Sequence, residues 1–284
     1  SIDAEYSGSA VFYVKDLNGK DGFRLDGSSS KDESGRSVST AGDVNGDGYD
    51  DVVIGAWKAD GETGEAYVVF GKRSWSRYMR LSSLNGKTGF TLTGEQTGER
   101  VGGAVSTPGD IDNDGYHELF IGASHYNSED GRGFVIMGKK SGYKSTFKLG
   151  DVDGNNGHFF SSAGGSKPYW GHSVGSAGDF DGDGYTDLLI GAPNADIDGV
   201  NAGQASLVWG KKEPYIENFN LGTITDRGFH IEGNEAGGDV AFALDTAGDI
   251  NGDGYDDFII GARYNTDGGN AAGQTYLILG KASG

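Results

Sequence analysis

AGDVNGDGYDDVVIGA (41–56) is the first of four closely similar stretches in this 284-residue chain. The other three are PGDIDNDGYHELFIGA (108–123), AGDFDGDGYTDLLIGA (177–192) and AGDINGDGYDDFIIGA (247–262). The first aspartates of successive stretches lie 67, 69 and 70 residues apart. A motif that recurs at so regular a spacing indicates one supersecondary unit that is present in four copies.

The first half of each stretch has the composition of a loop that binds a hard cation. In the first copy, Asp43, Asn45 and Asp47 place oxygen atoms at alternate positions, the carbonyl of Tyr49 follows, and Asp51 closes the set. Calcium takes six to eight oxygen ligands, and this spacing supplies them. The corresponding residues of the other copies are Asp110, Asp112, Asp114, Tyr116 and Glu118; Asp179, Asp181, Asp183, Tyr185 and Asp187; and Asp249, Asn251, Asp253, Tyr255 and Asp257.

Neither cysteine nor histidine stands at any of these ligand positions. An all-oxygen set favours calcium, suits magnesium less well, and argues against zinc and copper. Asp, Asn and Gly are also ordinary turn residues, so a single copy would carry little weight. Four copies with the carboxylates in the same register predict about four calcium ions, one in each repeat.

The EF-hand is the nearest alternative, because it shares the opening Asp-x-Asp-x-Asp-Gly. It requires a glutamate at position 12 of the loop and a helix on each side. Position 12 is Ile54 in the first copy and Ile121 in the second. The residues after the loop are β-branched or aromatic and therefore predict a strand.

A calcium loop followed by a strand that ends in Ile-Gly-Ala resembles the FG-GAP repeat of integrin α-subunit β-propellers. The Phe-Gly end of the neighbouring strand occurs as Val-Phe-Gly (69–71), and the Gly-Ala-Pro element is complete only at 191–193. Elsewhere its third residue is Trp57, Ser124 or Arg263. The resemblance covers nearly the whole chain. It implies a propeller with calcium at one rim, and a role in binding rather than catalysis.

The strand pattern predicts an all-β protein, namely a β-propeller of four blades with four antiparallel strands each. Strand A runs into the calcium loop, strand B follows it, strand C is of the AYVVFG type (66–71), and strand D is of the GFRLDG type (22–27). Four strands in each repeat are typical of propeller blades. We expect a single domain over residues 1–284, with repeats at about 22–88, 89–156, 157–227 and 228–284.

The last repeat stops after its C strand, so a D strand is missing from the fourth blade. We expect the N-terminal segment, residues 1–21 and the GFRLDG strand after them, to close the ring and remove its free edges. A further C-like strand, GSAVFYV (8–14), has no place in this scheme. Integrin-like propellers have seven blades, so the alternative is that the four repeats are part of a longer array.

The formal net charge of −19 opposes binding to nucleic acid or to an anionic membrane surface. No apolar run approaches the length of a membrane span, and the absence of cysteine excludes a disulfide framework. Calcium is scarce in the cytosol, and weak calcium sites are filled outside cells. We therefore expect a secreted or cell-surface protein, and a monomer.

The loops on the face opposite the calcium loops are longer, polar and different from repeat to repeat, as is usual for binding loops on a rigid scaffold. Exposed aromatic side chains beside polar groups suit sugars or protein partners. The alternative for the tryptophans is that they fill the junctions between blades. The candidate ligand-binding residues are Trp57, His125, Tyr126, Tyr169, Trp170, Arg263 and Tyr264.

These features predict a calcium-stabilised binding or adhesion module for a glycan or an extracellular protein. No nucleophile elbow, zinc-protease motif or P-loop occurs in the sequence, and we do not expect an enzyme. Two alternatives stay open. One is a polysaccharide-degrading enzyme, because every acidic loop offers carboxylates, and the other is a structural spacer in a larger surface protein.

Overall fold

The computed structural model describes residues 13–162, 167–197, 200–211, 218–266 and 268–282. These residues form β-strands joined by turns, with only short helical segments, which confirms the all-β prediction. The helical segments are 3₁₀ turns at Val14–Asp16, Leu81–Ser83, Leu149–Asp151 and Leu221–Thr223, and the four-residue turns α1 (Ala59–Glu62) and α2 (Tyr126–Glu129). None of the helices in the described ranges is long and apolar enough to cross a membrane.

Strands A, B and C follow one another in the same order in each repeat, with the acidic loop between strands A and B. In chain order they are β1 (Arg24–Asp26), β2 (Ser37–Gly42), β3 (Asp51–Ala56), β4 (Glu65–Val69), β5 (Tyr78–Arg80), β6 (Gly89–Thr93), β7 (Val101–Gly109), β8 (Glu118–Ala123), β9 (Arg132–Ile136), β10 (Thr146–Lys148), β11 (Gly157–Ser161), β12 (Ser173–Gly178), β13 (Asp187–Ala192), β14 (Asp196–Ile197), β15 (Val200–Asn201), β16 (Gln204–Val208), β17 (Asn218–Asn220), β18 (Gly228–Glu232), β19 (Val240–Gly248), β20 (Asp257–Ala262) and β21 (Gln274–Ile278).

Four antiparallel sheets are the blades of the fold. They are β2-β3-β4-β6, β7-β8-β9-β11, β12-β13-β16-β18 and β19-β20-β21. The first two blades carry one additional strand at the outer edge, β10 and β17, which pairs in parallel. The innermost strands are neighbours in turn, with β2 beside β7, β7 beside β12, and β12 beside β19.

The hydrophobic core lies between the blades and not inside a single blade. In the first blade, Val53 and Val68 pack toward the second blade, whereas Ile54 and Tyr67 pack on the opposite face. Because each middle strand alternates its side chains between two buried faces, it is apolar at almost every position. This explains why strands such as DVVIGA show no polar alternation in the sequence.

Each junction is also held by the backbone at the start of an innermost strand or just before it. A glycine from the loop between strands B and C forms a parallel bridge with this segment: Gly64 with Val101, Gly131 with Trp170, and Gly203 with Val240. At the fourth blade the corresponding space is a groove of about 420 Å³, lined by Gly261, Ala262, Gly273 and neighbouring residues. We call it the end groove.

The N-terminal strand does not complete the fourth blade in the structure. β1 pairs in parallel with β5, with Leu25 opposite Met79. β10 and β17 pair in the same way with β6 and β11, the D strands of the first two blades. β1 therefore corresponds to a D strand placed before the first blade, and β5 corresponds to the additional strands β10 and β17. Among the described residues, the fourth blade has three strands. A closed four-bladed ring is therefore not confirmed. Residues 8–12 of the additional C-like strand lie outside the described ranges.

Among the described residues, both ends of the array carry exposed apolar side chains. Ile250 is 61% exposed, although its counterparts in the first three loops, Val44, Ile111 and Phe180, are buried. Leu277 on β21 of the same blade is also exposed, at 44%. At the other end, Val38 on β2 is 67% exposed. Each of these side chains lies where a further blade would pack.

Candidate metal loops and the opposite funnel

Backbone amides wind each A–B loop around its first aspartate. In the first loop, the amide of Asp47 donates to Asp43 Oδ1 at 3.0 Å, and that of Gly48 donates to Oδ2 at 2.8 Å. The amide of Tyr49 then donates to Asp47 Oδ1 at 3.0 Å. The turn requires a left-handed residue, and Gly46 provides it with φ of 67°. The second and fourth loops repeat the hydrogen bonds to the first aspartate, and the third repeats that to Oδ2.

This winding brings carboxylate oxygens together at a distance that suits a metal ion. Ligand atoms of Asp110, Asp112 and Glu118 lie within 4.8 Å of one another, and so do those of Asp179, Asp181 and Asp183. Asp179 Oδ1 is buried and has no hydrogen-bond partner among the described residues. A buried oxygen without a partner is costly, and a bound cation would supply that partner. The donor set in these loops therefore fits calcium.

The last carboxylate of each loop is buried and ties the loop to the end of strand C. Asp51 Oδ2 accepts a hydrogen bond from the amide of Val44 at 3.1 Å, and its Oδ1 accepts one from Gly71 at 2.7 Å. Glu118, Asp187 and Asp257 make the same pair of bonds. Since each carboxylate oxygen has two lone pairs, such a group can hold the backbone and a cation together.

Burial resists the ionisation of three of the closing carboxylates. It raises the pKa of Asp51 and of Asp187 to about 7, and the pKa of Glu118 to about 8. The neighbouring aspartates of the same loop raise these pKa values further, and the backbone amides oppose the rise. A divalent cation in the loop would compensate the negative charge and lower the pKa values again.

Without calcium, the stability of the protein is expected to fall as the pH rises. In the folded chain without calcium, Asp51, Asp187 and Glu118 keep their protons up to about pH 7 to 8, whereas carboxyl groups of the unfolded chain lose theirs near pH 4. Unfolding then releases protons and is favoured at higher pH. With calcium the dependence should reverse, since the ligands must be deprotonated. Melting temperatures at pH 5, 6, 7 and 8, in calcium and in chelator, test this; a calcium-dependent difference that does not widen with pH would contradict it.

Neighbouring loops contact each other through their tyrosines. The ring of Tyr116 packs on Gly46 of the first loop, and the ring of Tyr255 packs on Gly182 of the third. The side chain of Asn113 also donates a hydrogen bond to the carbonyl of Gly184 at 3.3 Å. The four candidate metal loops thus form one continuous rim.

On the opposite face, side chains from all four blades line a cavity of about 350 Å³ at the centre. We call this cavity the funnel. It is lined by Arg36, Trp57, Arg100, Gly103, Ser124, His125, His172 and Phe242. Two predicted ligand-face residues, Trp57 and His125, are among them. A third, Tyr169, lies at the edge, with its ring centroid 4.9 Å from that of His125.

Three other predicted ligand-face residues lie outside the funnel. Arg263 is held between the rings of Phe242 and Tyr264, with its Cζ at 3.7 and 4.4 Å from the two centroids. It also forms an ion pair with Asp239 at 2.8 Å. Tyr126 packs against the core between the first two blades, with the guanidinium of Arg132 over its ring. The structure therefore gathers only part of the predicted set.

Trp170 is not a surface residue, and its assignment to the ligand face is corrected here. Its side chain is 2% exposed and belongs to the core between the second and third blades. The physical reason is its position just before an innermost strand, where Val101 and Val240 stand in the neighbouring junctions. The sequence interpretation that a tryptophan fills a blade junction is the correct one for this residue.

Six funnel residues were missed because they are far apart in the sequence, namely Arg36, Arg100, Gly103, Ser124, His172 and Phe242. Arg36, Gly103, His172 and Phe242 each stand seven positions before the first aspartate of a loop. They therefore occupy the same place at the start of the innermost strand in every blade. Aligning the four repeats on that aspartate would have found them.

Comparison with known proteins gives the repeat its name. The FG-GAP repeat model matches residues 34–69, 170–208 and 243–278. Integrin alpha-5 of Xenopus laevis is 33% identical over 205 residues, which are 68% of this chain and 18% of that protein. This chain is built from FG-GAP repeats of the integrin α type. Each matched stretch runs from the start of strand A through the metal loop to strand C, and the second repeat has the same strands in the structure.

Two further relatives are integrin alpha proteins as well. Integrin alpha-IIb of Homo sapiens is 32% identical over 183 residues, which are 61% of this chain and 16% of the relative. Integrin alpha pat-2 of Caenorhabditis elegans is 29% identical over 265 residues, which are 87% of this chain and 19% of the relative. The FG-GAP chain thus spans less than a fifth of the length of these relatives.

Proposed function

We propose that this chain is a calcium-binding, integrin-like module that works outside the cell and binds a glycan or protein ligand on its funnel face. The observation that carries the proposal is the arrangement of two opposite faces. One face is a rim of acidic loops with converging oxygens, and the other is a funnel lined by side chains from every blade. The proposed metal ligands are the five positions in each loop given above, one calcium ion to a loop.

The funnel supports a binding role because its side chains are not needed for the fold. The position seven residues before each loop aspartate has the same backbone setting in all blades, yet it carries Arg, Gly, His and Phe. Where packing alone decides, as at Val44, Ile111 and Phe180, the four repeats keep an apolar residue. A position that varies in chemistry while the scaffold stays constant is typical of binding surfaces.

An array of glycans and matrix proteins, probed in millimolar calcium and again in chelator, tests this function. Binding that requires calcium is the expected result, because calcium would order the scaffold that positions the funnel. Equal binding in both conditions would contradict the calcium-dependent scaffold. Absence of binding to every glycan and protein would contradict the adhesion role.

Replacement of Asp47 by alanine should remove one calcium site and leave the other three. The side chain supplies one proposed ligand and also accepts the amide of Tyr49, so calorimetric titration should count one ion fewer. At calcium concentrations about 100-fold above Kd, a lost site costs about 2.7 kcal/mol, or roughly 5–10 °C in melting temperature for a chain of this size. Asp50→Ala is the matched control, because Asp50 is an exposed carboxylate outside the ligand set. Loss of all sites in Asp47→Ala would instead show that the rim binds as one unit.

A further inference from the structure

The funnel collects positive and neutral polar groups in a strongly acidic protein. The chain has a net charge of −19, yet none of the described residues that line the funnel is acidic. Arg36 and Arg100 bring two guanidinium groups to it, and His125 and His172 bring two imidazoles. A local excess of positive charge inside an acidic surface attracts a small anion to that place.

Arg100 is already engaged, and its contacts fix the state of His125. Its guanidinium donates to Glu62 Oε2 at 3.1 Å and to His125 Nε2 at 2.8 Å. Arginine only donates, so Nε2 carries no proton and Nδ1 donates to Ser124 Oγ at 3.0 Å. Arg100 and neutral His125 therefore form a rigid wall of the funnel.

Arg36 is the cation that is free to bind a ligand. Its side chain is exposed and forms no ion pair among the described residues. Its Cζ lies 5.9 Å from the ring centroid of Trp57. The planar fork of a guanidinium matches a carboxylate with two parallel hydrogen bonds. A ligand carboxylate paired with Arg36 would therefore lie beside an aromatic ring.

His172 offers an acceptor on the other side of the funnel. Its Nδ1 is buried and has no hydrogen-bond partner among the described residues. A buried acceptor without a partner favours a ligand that brings a hydroxyl group. The ring of Phe242 lies next to it, with centroids 4.7 Å apart.

One class of ligand carries a carboxylate, hydroxyl groups and an apolar ring face together, namely an acidic sugar. The volume of about 350 Å³ is at the small end for ligand sites. Since the rest of the surface is acidic, it repels a long polyanion laid across it. A single acidic residue at the end of a glycan chain avoids that repulsion.

We infer that the funnel binds a terminal uronate, with its carboxylate on Arg36, a hydroxyl on His172 Nδ1, and its ring beside Trp57. This inference rests on the proposed function and names the ligand class of the same face. It selects a glycan over an acidic peptide, because a uronate carries hydroxyl groups on the same ring as its carboxylate.

Methyl glucuronide and methyl glucoside are the matched probes, since they differ only in the carboxylate. In millimolar calcium, titration followed by NMR should show the glucuronide bound about tenfold tighter or more, as expected for a charged hydrogen-bonded pair. Arg36→Gln should remove this preference by lowering the affinity for the glucuronide. Arg36→Lys keeps the charge without the fork and should retain part of the preference. Lys87→Gln, an equal loss of charge on an exposed residue outside the funnel, should change neither affinity.

Three results would overturn the inference. They are equal affinity for the two sugars, an equal loss of preference in Lys87→Gln, and binding of acetyl-aspartate methylamide as tight as that of the glucuronide. Failure of the uronate while another glycan or protein binds in calcium would refute the ligand class alone. If chelator changes neither the melting temperature nor the binding on the array, the proposed calcium-dependent function itself fails.

Discussion

Removal of calcium is expected to lower the melting temperature of this protein by about 20 °C or more. Each loop holds carboxylates whose oxygens converge, as in the cluster of Asp110, Asp112 and Glu118 within 4.8 Å. Without a cation these groups repel one another, and the closing carboxylates are buried. An ion that binds the folded loop and not the unfolded chain stabilises the fold by mass action.

The size of the effect follows from the number of sites. At a calcium concentration 100-fold above Kd, each site contributes about 2.7 kcal/mol, so four sites contribute about 11 kcal/mol. That sum is comparable to the whole stability of an ordinary domain. Calorimetry in millimolar calcium and in chelator measures the difference. Magnesium is the control, because it prefers a stricter octahedral geometry and should restore less stability. Equal melting temperatures with calcium and with chelator would refute the metal sites.

Replacement of Gly122 by alanine is expected to destabilise the fold by about 3 kcal/mol or more. Gly122 stands in the Ile-Gly-Ala end of strand B, without a positive φ, so alanine strains no backbone angle. A Cβ atom there would overlap the carbonyl oxygen of Gly171 and lie 3.1 Å from its carbonyl carbon. Both atoms belong to the backbone of the next blade. The second and third blades must therefore separate to admit one methyl group.

Gly261→Ala is the matched control, because Gly261 is the same residue of the same motif in the fourth blade. A Cβ there would lie 3.7 Å from the nearest atom, the carbonyl oxygen of Ala243, which is ordinary contact. This substitution should be neutral or slightly stabilising, since alanine restricts the unfolded chain. Chemical denaturation of both variants in calcium gives the comparison. An equally large loss in Gly261→Ala would show that the end groove is filled in solution.

The sequence predicted the repeated parts of the fold well. Strand B and the loop before it carry apolar runs and aspartates in one register, and both follow from local chemistry. The short outer strands β5, β10 and β17 were not predicted. Three-residue segments such as Tyr78–Arg80 are too short to show alternation. The role of β1 was missed as well. Its sequence does not show whether it completes the fourth blade, and only its pairing with β5 shows that it lies elsewhere.

The metal loops and the funnel differ in how far the sequence predicts them. The loop ligands are neighbours in the chain, so their spacing alone predicts where they converge. Arg36 and Phe242 are brought together by the arrangement of the blades and are 206 residues apart in the chain. Trp170 shows a second limit of prediction from sequence. An aromatic residue before a strand can lie either on the surface or in a junction between blades. Burial decides between the two, and burial depends on the neighbouring blade.

The end groove bears on how this molecule resists unfolding. Because the core lies between blades, the stabilising apolar contacts are made between neighbouring blades and not within a single blade. The fourth blade shares one junction, whereas the second and third share two. A blade with one such junction can detach at a lower cost than a blade with two, so the fourth blade is expected to open before the second and third. The two partners of a junction are also different: the segment at the start of one innermost strand pairs with a glycine of the preceding blade. The first blade can offer such a segment, and the end groove of the fourth blade can accept one.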